Sequence, residues 1–115
     1  MTELVRKLLQ GEQKIEVSIR PDRTAKALLR CIQKGYVHLK FPDTQGGTDV
    51  YVPLDMSETT LKDANFEVGS GLVLLVGRLT LDYQDVKCRA VIDLATMKGY
   101  GKLERLTDDP FGETE

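Results

Sequence analysis

The chain has 115 residues, of which 41% are hydrophobic and 30% charged, and its formal net charge is −2. This length and composition predict a single soluble domain that forms its own core. The longest apolar run, 72–76, is too short to cross a bilayer, and the N-terminal stretch lacks the apolar region of a signal peptide. We therefore expect a cytoplasmic protein, with Cys31 and Cys88 as reduced thiols.

The acidic charge is concentrated at the C-terminal end. Residues 107–115 contain four acids and no base, which leaves 14 acids and 16 bases in the rest of the chain. We expect one globular domain over 1–106 and a disordered acidic tail over 107–115. A second interpretation of the tail is a short linear motif that binds a protein partner through Asp108, Asp109 and Phe111.

The first half of the chain alternates between helical and strand patterns. Apolar residues at helical spacing predict a short N-terminal helix over 2–10, and the alternation in "KIEVSIR" predicts a strand. The main amphipathic helix is expected over about 22–34, with Asp22 as its N-cap and Gly35 just after its end. Its apolar stripe comprises Ala25, Leu28, Leu29 and Ile32.

The second half is dominated by strand patterns. "YVHLKF" and "DVYVPL" predict a hairpin around a glycine-bearing loop, and Pro53 places the second strand's end or an edge there. A short helical turn is expected through 61–64, capped by Asp55 or Ser57. "LVLLVGRLTLDY" and "VKCRAVIDLAT" follow as strands around a tight turn near Gln84 and Asp85, and "GYGKLERL" is the last strand.

Together these elements predict an α+β fold in a single small domain. The sheet is expected to be mostly antiparallel, or a partly open barrel, with about five or six strands. One main amphipathic helix over about 22–34 and the short N-terminal helix complete the predicted fold.

The residues required for common catalytic chemistries are missing. His38 is the only histidine, which excludes histidine metal clusters, and there is no CxxC motif or phosphate-binding loop. Asp93 is the one carboxylate in an apolar setting, and its parity in the strand places it outward beside a base. We therefore expect a binding protein rather than an enzyme, with no cofactor and no metal.

Strand parity predicts a basic and aromatic surface. In "KGYVHLKF", alternation directs Val37, Leu39 and Phe41 into the core and the intervening residues outward. If the later strands join the same sheet, one outward face carries these candidates for nucleic-acid binding: Tyr36, His38, Lys40, Tyr51, Arg78, Lys87 and Arg89. Rings that stack on bases and cations that contact phosphates are typical of single-strand binding surfaces.

The stretch "KGYVHLKF" also resembles the RNP1 motif of RNA-recognition domains, K/R-G-F/Y-G/A-F-V-x-F/Y. The matching residues are Lys34, Gly35, Tyr36, Leu39 and Phe41. Val37 stands where the motif has a small residue, and His38 stands where it has a second aromatic residue. The resemblance implies that Tyr36 stacks on a nucleotide base.

A second local resemblance covers "LVLLVGRLTLDYQDVKCRAVIDLAT". This run is similar to VxLVGxLxxDxE…A…LAT of bacterial OB-fold single-strand DNA-binding proteins, and it matches at Leu75, Val76, Gly77, Leu79, Asp82 and 94–96. "DDPF" at 108–111 is similar to the acidic Pro-Phe tail by which that family binds partners, although four residues follow it here. The resemblance implies an OB-like fold and single-stranded DNA as a partner.

Three hypotheses about function remain open. The favoured one is a non-enzymatic binder of single-stranded DNA or RNA through the basic and aromatic face. The alternative is a protein-interaction adaptor or a small subunit of a homo- or hetero-oligomer, because "LVLLV" is apolar on both faces and needs cover on both. The third is a small enzyme or ligand-binding barrel whose pocket residues are dispersed in sequence.

Overall fold

A curled antiparallel sheet forms most of the computed structural model, which describes residues 2–18, 24–44 and 46–106. The strands are β1 (Gln13–Val17), β2 (Tyr36–Phe41), β3 (Thr48–Pro53), β4 (Ala64–Asn65), β5 (Ser70–Leu81), β6 (Gln84–Asp93) and β7 (Lys98–Arg105). Their order is β3-β2-β1-β7-β6-β5-β4. The sheet curls into a seven-stranded half-barrel, similar in form to an OB-like barrel.

The predicted fold class is wrong in its balance of helix and sheet. Two short helices, α1 (Glu3–Leu8) and α2 (Ala25–Gln33), accompany seven strands, and neither helix dominates the fold. The helix expected over about 22–34 begins only at Ala25, because Thr24 is its N-cap and its Oγ1 accepts the Ala27 N–H at 3.1 Å. The expected cap, Asp22, lies outside the described residues. Leu28 and Ile32 of the predicted stripe are buried, together with Ala27, which was not predicted, but the curled sheet supplies most of the core.

The helical turn expected through 61–64 is also wrong. The Asp55 carboxylate accepts the Ser57 N–H at 3.0 Å and the Asp55 carbonyl accepts the Thr59 N–H at 3.0 Å, so Asp55 caps a single turn at 55–59, ahead of the expected position. The chain then follows the edge of β5, where Thr60 and Leu74 exchange backbone hydrogen bonds, before β4 pairs with β5. The Glu58 and Thr59 N–H groups donate to the Asp55 carbonyl within that turn, whereas Thr60 pairs with β5, so no helix continues through 61–64.

The predicted β2–β3 hairpin and the three-strand run β5–β6–β7 are confirmed as antiparallel ladders. The β5–β6 turn lies at Asp82 and Tyr83, two residues before the expected position. Their φ angles of 49° and 67° are those of a two-residue hairpin turn that follows the twist of the strands. The first strand, β1, lies between β2 and β7 and so joins the two halves of the chain.

The curl brings the end of β3 back to β5. Leu54 bridges Gly77, and a side chain at Gly77 would collide with the Pro53 carbonyl oxygen and Val52. The core inside the half-barrel includes Phe41 and Leu75, together with apolar residues from both helices. None of the described helices is both long enough and apolar enough to span a bilayer.

Candidate nucleic-acid interface

Three rings form a cluster on the outer face of the β2–β3 hairpin. The Tyr36 and Tyr51 rings are nearly stacked, with centroids 5.4 Å apart and planes at 29°. His38 lies against both, with its centroid 5.6 Å from Tyr36 and 5.3 Å from Tyr51. We call Tyr36, His38 and Tyr51 the ring cluster.

Strand register explains how the ring cluster forms. His38 pairs directly with Tyr51 across the hairpin, and Tyr36 lies two residues from His38 on the same face of β2. Cross-strand aromatic neighbours at this spacing are within contact distance. His38 is exposed and Tyr51 is 53% exposed, so the cluster presents ring surface to solvent.

The half-buried Tyr36 also lies near the Cys31 thiol. A hydrogen bond with the Cys31 thiol, at the end of α2, is the main reason that the pKa of the Tyr36 hydroxyl is raised. The phenol therefore stays neutral over the physiological range. Its position between α2 and Tyr51 leaves it as the inner, supporting ring of the cluster.

Lys40 is the cation closest to the ring cluster in sequence and register. It follows His38 by two residues on the same face of β2 and pairs with Asp49 on β3. The structure thus brings together three of the seven predicted residues, Tyr36, His38 and Tyr51, whereas the end of the Lys40 side chain lies against Gly47 in the β2–β3 loop.

The other three predicted cations lie elsewhere on the sheet, on β5 and β6. Along the sheet, β1 and β7 separate β6 from the β2–β3 hairpin, whereas β5 returns to β3 where the half-barrel closes. Lys87 is half-buried, and its Nζ donates to both carboxylate oxygens of Glu58 at 2.9 Å. Arg89 lies 3.7 Å from the Glu58 carboxylate and 3.5 Å from that of Glu104. The positive charges of Lys87 and Arg89 are therefore balanced by acids that the sequence analysis did not single out.

Arg78 occupies a different position from Lys87 and Arg89. It is exposed and follows Gly77, which contacts Pro53, the residue paired with Tyr36 in the hairpin. Its charge contributes to lowering the pKa of Asp55, although the Ser57 hydroxyl and N–H contribute more. Because the half-barrel closes between β3 and β5, Arg78 lies on the β5 side of β3. Lys40, on β2, lies on the opposite side of β3.

The predicted partner-binding residues Asp108, Asp109 and Phe111 lie outside the described residues. Among the described residues, no group of three or more His, Cys, Asp or Glu side chains is arranged to hold a metal ion. Cys88 is buried, and this burial raises the pKa of its thiol to about 12.

A row of apolar side chains on the outer face was not predicted as a site. Leu74, Val91 and Tyr100 are direct cross-strand neighbours on β5, β6 and β7, and Val91 and Tyr100 are 42% and 55% exposed. Leu72, at 50% exposure, lies beside them. In the sequence, "LVLLV" is apolar on both faces, which already indicated Leu72 and Leu74. The alternation of the last strand could have added Tyr100.

No protein-family model matches the chain, and no curated protein sequence matches it significantly.

Proposed function

We propose that the protein binds single-stranded nucleic acid, without catalysis, by stacking bases on the ring cluster. The observation that carries the proposal is the arrangement of Tyr36, His38 and Tyr51, three rings within 5.6 Å of one another on one partly exposed sheet face. Stacking is tolerant of sequence because every base has a π-face, and it contributes about 1–3 kcal/mol per base.

The charges around the ring cluster define a weakly electrostatic interface. Lys40 and Arg78 are the two predicted cations that can accompany the rings, whereas Lys87 and Arg89 are balanced by Glu58 and Glu104. With two phosphate contacts, the logarithm of the binding constant falls with the logarithm of salt concentration at a slope of about −1.4. We therefore expect base stacking to contribute more to the binding free energy than phosphate contacts do.

Fluorescence anisotropy of labelled single-stranded DNA and RNA, titrated with the protein at low and moderate salt, tests this function. Tyr51→Ala should weaken binding about tenfold, since one exposed stacking ring is lost. The matched control is Tyr83→Asn, which removes a fully exposed tyrosine from the β5–β6 turn, with asparagine tolerating its positive φ. Flat titrations, or equal losses in both variants, would contradict the proposal.

The alternative, a protein-interaction module or oligomer subunit, is favoured by the apolar row on β5–β7. Exposed side chains that are contiguous across three strands mark interaction surfaces more often than isolated ones do. A groove of about 660 Å³ lies against this row and includes Leu72, Val91 and Tyr100 in its walls. Size-exclusion chromatography with light scattering would show a strict monomer of 12.9 kDa if the row does not mediate self-association.

A further inference from the structure

The half-barrel is incompletely closed between β3 and β5. Leu54 bridges Gly77, but among the described residues the two strands form no ladder along residues 48–52 of β3. A groove of about 380 Å³ opens there, with Tyr51 on the β3 wall and Leu79 and Thr80 on the β5 wall. We call it the seam groove.

The hydrogen-bond pattern of β3 directs alternate backbone groups toward the seam groove. The Leu54 N–H donates to the Gly35 carbonyl at 2.8 Å, so every second residue before Leu54 also bonds to β2. In an antiparallel ladder the intervening residues point their N–H and C=O groups to the opposite side. Asp49 and Tyr51 therefore present two donors and two acceptors to the groove.

On the β5 wall, backbone groups also point into the seam groove, but over a shorter length. Leu74 exchanges both backbone hydrogen bonds with Thr60, which shows that even-numbered residues of β5 face away from β6. By this alternation the N–H and C=O of Thr80 face the seam groove. The backbone groups that β3 and β5 direct toward the groove match the repeating donors and acceptors of an extended polypeptide.

The side chains define what kind of polypeptide fits. Val50, Leu79 and Leu81 give the groove an aliphatic floor. Asp49 stands on one wall, while Asp82 and Asp85 follow the other wall into the β5–β6 turn. The Thr2 and Thr80 hydroxyls donate to Asp82 and Asp85, which leaves both negative charges in place.

We propose that the seam groove binds an extended basic peptide of a partner protein, which adds as a strand to the free edge of β3. Aliphatic side chains at alternate positions would contact the floor, and lysine or arginine at the intervening positions would meet the acidic rim. Because the groove is walled by β3 and β5, it accommodates one extended chain and not the edge of a second folded sheet. The acidic rim also distinguishes this site from the nucleic-acid surface that the ring cluster forms.

The probe is a labelled peptide of alternating valine and lysine, titrated against the full chain by fluorescence anisotropy. The matched control peptide has the same sequence with N-methyl groups on the backbone nitrogens that would donate to β3, so that charge and composition are unchanged. We expect at least tenfold weaker binding of the methylated peptide. Equal binding of the two peptides, or binding of neither, would overturn the proposal.

Variants of the protein separate this site from the proposed nucleic-acid function. Asp49→Lys reverses one rim charge and keeps the backbone groups, so peptide binding should weaken at least threefold. The matched control Asp63→Lys changes an exposed acid outside the groove and should leave peptide binding unchanged. Asp49→Lys should not weaken oligonucleotide binding, so failure of the peptide test leaves the nucleic-acid test intact. Equal effects of the two variants on the peptide would also count against a site in the seam groove.

Discussion

The Nζ of Lys87 donates to both carboxylate oxygens of Glu58 at 2.9 Å, although 29 residues separate them in sequence. Glu58 reaches Lys87 because the segment after β3 crosses to the edge of β5 and turns at Asp55. This contact balances the charge of Lys87, one of the cations predicted for the binding surface. It also fixes the connecting segment against the sheet.

Glu58→Gln should destabilise the fold, because it removes the charged acceptor of a half-buried lysine. The Lys87 side chain is 15% exposed, so we expect a loss of about 1–2 kcal/mol in the free energy of unfolding, measured in urea. The control is Glu3→Gln, which breaks an exposed pair with Arg6 and should cost less than about 0.5 kcal/mol. Equal losses would show that the Glu58–Lys87 contact contributes no more than a surface pair.

Gly77→Ala should open the contact between β3 and β5. The added methyl group would meet the Pro53 carbonyl oxygen and approach the Val52 Cγ1 to 2.6 Å, so the strands must separate. We expect a loss of about 1–3 kcal/mol or more in unfolding free energy. Gly101→Ala is the control, since its methyl group meets the mobile end of Ile15 at 3.1 Å and should cost less.

The turn at Asp55 predicts a specific pH dependence. Hydrogen bonds from the Ser57 hydroxyl and N–H lower the pKa of Asp55 below its usual 3.8. A lowered carboxyl pKa stabilises the fold above the unfolded-state pKa, and this contribution is lost as pH falls through the folded-state pKa. Wild type should therefore exceed Asp55→Ala in stability at neutral pH, and the difference should shrink below about pH 4.

Ser57→Ala provides the control for the Asp55 prediction. It removes the hydroxyl donor while retaining the carboxylate, so the pH-dependent part of the stability difference should become smaller. Urea unfolding between neutral and acidic pH measures both variants. A difference between wild type and Asp55→Ala that stayed constant over this range would contradict the prediction.

The two cysteines should differ in reactivity. Cys88 is 1% exposed and burial raises its thiol pKa to about 12, whereas Cys31 is half-buried at the end of α2. At about pH 8, native protein treated with iodoacetamide should gain one adduct quickly, because the thiolate is the reactive form. Mass spectrometry should place it on Cys31, and Cys31→Ser should abolish it. Rapid modification of both cysteines would contradict the burial of Cys88.

Local sequence patterns predicted which side chains of the β2–β3 hairpin face the core and which face outward. Alternation in "YVHLKF" and "DVYVPL" placed Val37 and Val52 inside and His38 and Tyr51 outside, which is enough to anticipate the ring cluster. It did not give the strand order, because the pairing of β1 with β7 joins residues more than 80 positions apart. The role assigned to Lys87 and Arg89 depended on that order and on Glu58, which no periodicity identifies.

The fold class was misjudged for a related physical reason. The apolar stripe of α2 is a strong local signal, but nine residues of helix cover little of a core that seven strands enclose. The segment 55–65 shows the same limit, since the single turn at Asp55 ends where Thr60 pairs with β5. Such tertiary pairing overrides local propensity.

The most direct test of the ring cluster is an aromatic proton–carbon NMR titration with oligothymidylate and oligouridylate. Stacked bases shift the signals of the rings that they contact. The account predicts upfield shifts for the ring protons of Tyr36, His38 and Tyr51, with Tyr83 and Tyr100 unchanged. Shifts confined to Tyr83 or Tyr100, or no shifts at saturating oligonucleotide, would contradict it.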